Sequence, residues 1–174
     1  MDPIEFRTVL SHFAAGVTVI TTRDAGGQRL GFTATAFSSV SLDPPLVLFC
    51  VTAGGRCDAA LKAEQGFAVN ILGEDQTNLA VQFARRSTND RFDGVALSSG
   101  VEDHPLLRGA IATLTCEHAG RIEAGDHVVH MGHALYGTST DNRPLLHFRG
   151  AFDQLAKLPV EPIPGSDFMV GAAW

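Results

Sequence analysis

Cysteine, tryptophan and tyrosine are nearly missing from this chain: three, one and one among 174 residues. Cys50, Cys57 and Cys116 are odd in number and show no CxxC spacing, which argues against a disulfide framework and suits a reducing compartment. Charge is also sparse. Thirteen basic against nineteen acidic residues leave a formal net charge of −6, with no block of Lys and Arg. Nucleic-acid and anionic-membrane partners both reward clustered cations, so neither is expected. The longest strongly apolar run, around Leu46–Val51, is far too short to span a bilayer. The opening residues MDPIEFRTVL carry neither the basic region nor the apolar core of a signal peptide. These absences lead to the expectation of a soluble, cytoplasmic protein.

What is present describes a globular chain: 45% hydrophobic and 18% charged residues. The length suits one domain, because two would need well over ~200 residues. It also allows ~70% of the unfolded surface to be buried without a metal or disulfide staple. The expected division is a single domain over 1–158 and a tail over 159–174 with three prolines.

Local patterns predict mostly strands. Asp2, Pro3 and Glu5 mark a capped helix whose apolar positions Ile4, Val9, Leu10 and Phe13 fall on one face, with Gly16 as its stop. Val17–Thr22 is rich in β-branched residues and meets a turn at Asp24–Gly27. Residues 30–40 mix β formers with small hydroxyls, and after the Asp43-Pro44-Pro45 breaker Leu46–Val51 reads as a strand buried on both faces. Short helices are predicted over Cys57–Glu64 and Glu74–Arg85, with a strand Phe67–Leu72 between them. Residues 86–104 read as an irregular excursion with a short strand near Val95–Leu97. Strands over Ile111–Ile122, His127–Gly137 and Leu145–Leu155 close the chain. Many strands with few, short helices point to an antiparallel barrel, not a doubly wound sheet.

Three stretches attract chemistry. Small residues in Gly31–Ser41 would let a flat ligand approach the backbone, and hydroxyls there add orientable donors; an ordinary Thr- and Ser-rich edge strand is the plainer alternative. Thr52-Ala53-Gly54-Gly55-Arg56-Cys57 joins a strand to a helix, where glycine amides and a cation suit a phosphate; an ordinary glycine loop fits equally. Neither GxxxxGK[ST] nor a post-strand GxGxxG is present, so a P-loop and a Rossmann site are not supported. The third stretch is HVVHMGH. Strand alternation puts His127 and His133 on one face and His130 on the other, and no third ligand converges, so partly exposed strand histidines fit better than a metal site. Asp126 stands beside His127, although neighbours in a strand normally face apart. Cys50 and Cys116 lie in apolar runs that would keep their thiols inert, and no GxSxG elbow exists.

From about Phe6 to Leu155 the chain resembles the short-chain flavin reductases, the small reductase components of two-component flavin monooxygenases. The resemblance rests on ordered blocks: FAAGVTVITT, GFTATAFSSVSLDPPLVLFCV, FAVNIL, LAVQFA followed by DRF, HPLLRGAIATLTCE, GDHVVHMGHAL and LLHFRGAF. It implies an antiparallel, Greek-key type, FMN-binding split β-barrel that works as a homodimer with flavin near the subunit interface. By position, Thr33, Ala34 and Thr35 would line the isoalloxazine, with Ser38 and Ser39 close by. The stretch Cys50, Val51, Thr52, Arg56 and Cys57 would pass under the ribityl chain and phosphate, and Phe83 and Ala84 would close the phosphate side. His127 would stand beside the nicotinamide, with Phe148 and Arg149 on a second wall of that pocket. Two departures stand out: Cys57 occupies a place where Ser or Thr is usual, and His147-Phe148 replaces a Tyr-bearing stretch.

The function so implied is hydride transfer from NADH or NADPH to FMN or FAD, with reduced flavin passing to a separate monooxygenase. No side chain need act as acid or base in that step, so His127 is cast as a positioning group. A 2′-phosphate on the nicotinamide would want a nearby arginine, and Arg56, Arg85, Arg86, Arg121 and Arg149 are all available. The alternatives are a flavin- or haem-binding carrier or sensor without turnover, and a metalloenzyme resting on residues 127–133.

Overall fold

The computed structural model describes residues 1–62, 66–85, 90–98 and 104–156; the tail expected over 159–174 lies outside them. Among the described residues ten strands and three helices follow in order: α1 (Pro3–Leu10), β1 (Ala15–Gly16), β2 (Thr18–Arg23), β3 (Arg29–Ala34), β4 (Phe37–Leu42), β5 (Pro45–Thr52) and α2 (Arg56–Lys62). Next come β6 (Phe67–Ile71), α3 (Thr77–Ala84), β7 (Ala112–Ala124), β8 (His127–Ser139), β9 (Leu145–Phe148) and β10 (Ala151–Gln154). The architecture is mainly β and antiparallel. Seven strands form one sheet in the order β3-β2-β6-β7-β8-β5-β4, and β1-β9-β10 form a second. The large sheet's two edges, β3 and β4, are joined by only Thr35 and Ala36, so the sheet must curl until its ends meet. Cys50 N–H donates to Ala36 C=O at that seam. Among the described residues no helix is long and apolar enough to cross a membrane.

Two apolar clusters hold the sheet. Val17, Val19, Leu72, Phe83, Phe92, Leu107 and Leu145 pack on one side; Ile20, Val47, Phe49, Leu61, Phe67 and Val69 pack on the other. The strands sandwiched between them are β2 and β6, almost wholly buried. This corrects the expectation for Leu46–Val51: β5 alternates buried and half-buried residues, because it lies next to the edge strand β4 and presents only one face to the core. The interior polar groups of the central strands are matched. Asn70 Nδ2 donates to Val19 C=O and Thr21 Oγ1, its Oδ1 accepts from Leu107 N–H, and Thr21 Oγ1 donates to Pro105 C=O.

The first helix is capped as its sequence suggests, with Asp2 Oδ1 accepting from the Ile4 and Glu5 amides. It ends at Leu10 and not at Gly16, since Ser11 Oγ and the His12 ring both bond back to Thr8 C=O and the chain tightens into i→i+3 turns. None of its residues is buried, and Ile4, Phe6, Val9, Leu10 and Phe13 all face out. The strand expected over Leu145–Leu155 is two strands. Arg149 and Gly150 take positive φ of 50° and 79° and fold β9 back on β10.

Candidate functional site

A cleft of about 600 Å³ opens where β3, the end of β5, α3 and the residues around Arg91 come together. Its floor is β3 from Leu30 to Thr33. Gly31 has no space for a side chain: a Cβ would stand 2.8 Å from the Phe83 ring and 3.1 Å from Ile20 C=O. Thus α3 lies close on the floor, and Thr33 Oγ1 anchors it by donating to Ala80 C=O at 2.6 Å. One side is Cys50, Val51 and Thr52, followed by a loop through Gly55, Arg56 and Cys57. Gly54 turns this loop with φ of 74°, a conformation most residues avoid. His127 completes the mouth, because the β5–β8 register sets it directly opposite Thr52.

Of the residues singled out from the sequence, the structure gathers Thr33, Cys50, Val51, Thr52, Arg56, Cys57, Phe83, Ala84 and His127 around this one cleft. Six others lie elsewhere in the chain. Ala34 is buried in the core, where its C=O accepts from Thr18 Oγ1, and Thr35 is exposed at the β3–β4 seam. Ser38 and Ser39 are on edge strand β4, where Ser38 Oγ donates to Ser39 C=O. Phe148 meets His12 edge-on beside α1, and Arg149 N–H donates to Ser11 C=O.

The cleft also contains residues the sequence reading passed over. Arg91 stands at its rim with every guanidinium nitrogen engaged: Nη1 donates to Gly31 C=O at 2.6 Å, and Nε and Nη2 both donate to Arg85 C=O. Phe92 packs edge-on against Phe83, and Arg29 lies over the Phe92 ring. Arg56 bonds Gln28 Oε1 and pairs with Asp24 at 3.6 Å. Three guanidinium groups therefore border the cleft of a net acidic protein. The signal for Arg91 was the DRF triplet, set in a stretch with no periodicity to locate it.

Electrostatics separates the thiols and imidazoles. Burial pushes the Cys57 thiol up, with Arg91 and Arg56 pulling back only in part, so it stays neutral at physiological pH. Burial alone pushes Cys116 up to about 12. At the mouth, the His127 hydrogen bond at 2.8 Å holds the Asp126 carboxyl below its usual range. Asp126 occupies the turn before β8 and so escapes strand alternation, which is why the two neighbours meet. His130 is fully buried, against the expectation of partly exposed strand histidines, because β8 turns Val128, His130 and Gly132 inward. Among the described residues no three metal-ligating side chains converge.

Comparison with known proteins bears on what this cleft serves. Residues 10–156 match the flavin reductase like domain. The chain is 37% identical over 168 residues to the reductase subunit HsaB of a flavin-dependent monooxygenase from Rhodococcus jostii, covering 96% of this chain and 85% of that protein. It is 38% identical over 151 residues to a probable flavin reductase of Rhizobium meliloti, a longer protein of which it spans 48%. Among solved structures, the Streptomyces globisporus NADH:FAD oxidoreductase SgcE6, in complex with NAD and FAD fragments, superposes with a TM-score of 0.84 at 37% identity, covering 90% of this chain and 94% of that one.

Proposed function

The chain belongs to the flavin reductase like domain family, and from that premise we propose that it is an NAD(P)H:flavin oxidoreductase supplying reduced flavin to a separate monooxygenase. The observation that carries this reading is the single cleft that gathers nine residues expected around flavin and nicotinamide from four separate parts of the chain. Its size, about 600 Å³, lies within the ~300–1,000 Å³ typical of cofactor pockets. The names of the relatives favour turnover over a carrier or sensor role.

A flavin held here would supply the hydride acceptor for a nicotinamide. The chain's own contribution is placement. Backbone from Gly31 to Thr33 forms a flat floor for the ring system; the Thr33 hydroxyl, committed to Ala80, shapes that floor and is not a donor to the ligand. Gly55, Arg56 and Cys57 receive the phosphate-bearing end, and Arg91 adds positive potential there. The neutral Cys57 thiol is a weaker donor at this end than a hydroxyl, which suits a flavin that leaves after reduction. His127 orients the nicotinamide: with Nδ1 bonded to Asp126, its Nε2 is left for the ligand side.

The same reading includes a homodimer in the cytoplasm with flavin near the subunit interface. Exposed Ile4, Val9, Leu10 and Phe13 on and just after α1 support a covered face there, as do Val40 and Leu42 on β4. Phe148 and Arg149 lie beside that face, so they reach a nicotinamide only in a neighbouring subunit's cleft.

Initial rates of NADH and NADPH oxidation with FMN, FAD and riboflavin test the proposal. Turnover that rises and saturates with added flavin is expected; oxidation indifferent to flavin would refute it.

A further inference from the structure

Beneath the loop that turns at Gly54 lies a chain of polar groups that never reaches the cleft. Asp58, on α2, has a side chain with no exposure, and so has His130 on β8. Asp58 Oδ2 accepts from Gly54 N–H at 2.9 Å, while its Oδ1 meets His130 Nε2 at 3.1 Å. On the other side of the imidazole, His130 Nδ1 meets His118 Nε2 at 3.1 Å. The Phe49 ring lies nearly parallel to the His130 ring, 14° apart with centroids at 5.7 Å, and fixes its plane.

The hydrogen bonds assign direction. A carboxylate only accepts, so His130 Nε2 carries the proton toward Asp58, and the neutral ring's Nδ1 then accepts from His118. Burial, together with His118 and Arg121 across β7, keeps the ring neutral against the opposing pull of Asp58. Asp58 thus spends one oxygen on the imidazole and the other on a loop amide. Elsewhere the loop is held by Ala53 N–H donating to Asp126 C=O, by Ala59 N–H donating to Gly55 C=O and by Arg56 on Gln28 and Asp24, while Gly54 itself has no side chain to pack.

We propose that Asp58 and His130 are positioning residues for the phosphate-bearing end of the flavin, the imidazole fixing a buried carboxylate that holds the Gly54 amide and with it the shape of the Thr52–Cys57 loop. This rests on the flavin reading of the cleft given above. Neither residue lines the cleft, so their effect passes entirely through the loop.

The test compares affinities for FMN and riboflavin, which differ only in the phosphate. Asp58→Ala removes both acceptor oxygens, so the Gly54 amide loses its partner. A lost hydrogen bond to a charged group corresponds to roughly ten- to hundredfold in affinity. The expected result is a drop of about that size for FMN, with riboflavin affinity within about twofold of wild type. His130→Gln, which keeps a donor toward Asp58, retains the FMN preference, whereas the shorter His130→Asn loses it; this pair decides the matter if Asp58→Ala does not fold. A folded Asp58→Ala protein that keeps the wild-type FMN-to-riboflavin ratio, or weakens both equally, overturns the proposal. A wild type that binds FMN and riboflavin alike overturns the phosphate placement beneath it.

Discussion

Two carboxylate–imidazole pairs have their imidazoles three residues apart on β8, and strand alternation turns one outward and the other inward. Asp126 and His127 meet at 2.8 Å at the cleft mouth with side chains 93% and 46% exposed; Asp58 and His130 meet at 3.1 Å with no exposure at all. The chemistry is the same and the solvent is not. Water and salt screen the outer pair, so it contributes little to folding and its imidazole stays open to a ligand. The inner pair cannot be solvated, so each partner depends on the other. In the proposed function the outer pair meets the substrate, and the inner pair holds the Thr52–Cys57 loop.

Breaking the inner pair gives the largest expected effect. His130→Leu takes the imidazole donor from the buried Asp58, and a lost hydrogen bond to a charged group costs roughly 1.5–3 kcal/mol, measurable by urea unfolding. Replacing both partners, as Asp58→Leu with His130→Phe, restores most of that stability because no charge is left stranded. The double variant does not restore FMN preference, since the Gly54 amide has lost its acceptor. A double variant as unstable as the single one would contradict this view of the pair.

Acid sharpens the comparison at intermediate size. Burial holds the His130 pKa below its ordinary value, so between about 6.5 and the folded value the unfolded chain binds the extra proton. The stabilisation is complete above that window and is lost as pH falls through it, with a slope of at most about 1.4 kcal/mol per pH unit. The groups facing the ring are Asp58 from α2 and His118 and Arg121 from β7, and none reverses the sign. Unfolding curves between about pH 8 and about pH 5.5 should show a shallower dependence in His130→Gln than in wild type. Equal slopes would remove His130 as the source.

The outer pair gives the smallest effect on folding. His127→Ala should raise the KM for the nicotinamide severalfold while leaving flavin affinity unchanged and stability within about 0.5 kcal/mol. Unchanged NADH kinetics would sink the positioning role of His127.

Much of the architecture was legible from the sequence because each element carries a local signal. Asp2-Pro3 opens α1, Asp24–Gly27 turns β2 into β3, and the alternation from His127 sorts the faces of β8. What escaped depends on neighbours. A run such as Leu46–Val51 cannot show that its second face lies near a sheet edge, whereas Val17–Thr22 does not advertise that both its faces are covered. Arg149-Gly150 splits the last strand through positive φ, which a glycine permits but does not announce. In the site, Thr33, Arg56 and His127 came from residue type and resemblance. Arg91 was missed because its place at the cleft follows from its bond to Gly31 C=O, 60 residues away in sequence, alongside two to Arg85 C=O. The inner pair was hidden for the same reason: Asp58 and His130 are 72 residues apart, and nothing near either one points to the other.

The central claim is turnover of an exchangeable flavin, and anaerobic mixing of the protein with NADH and an excess of free FMN or FAD tests it most directly. Bleaching of the visible flavin absorbance should continue far beyond one flavin per chain. Bleaching that stops at one flavin per chain, or does not occur with either nicotinamide, would contradict the account.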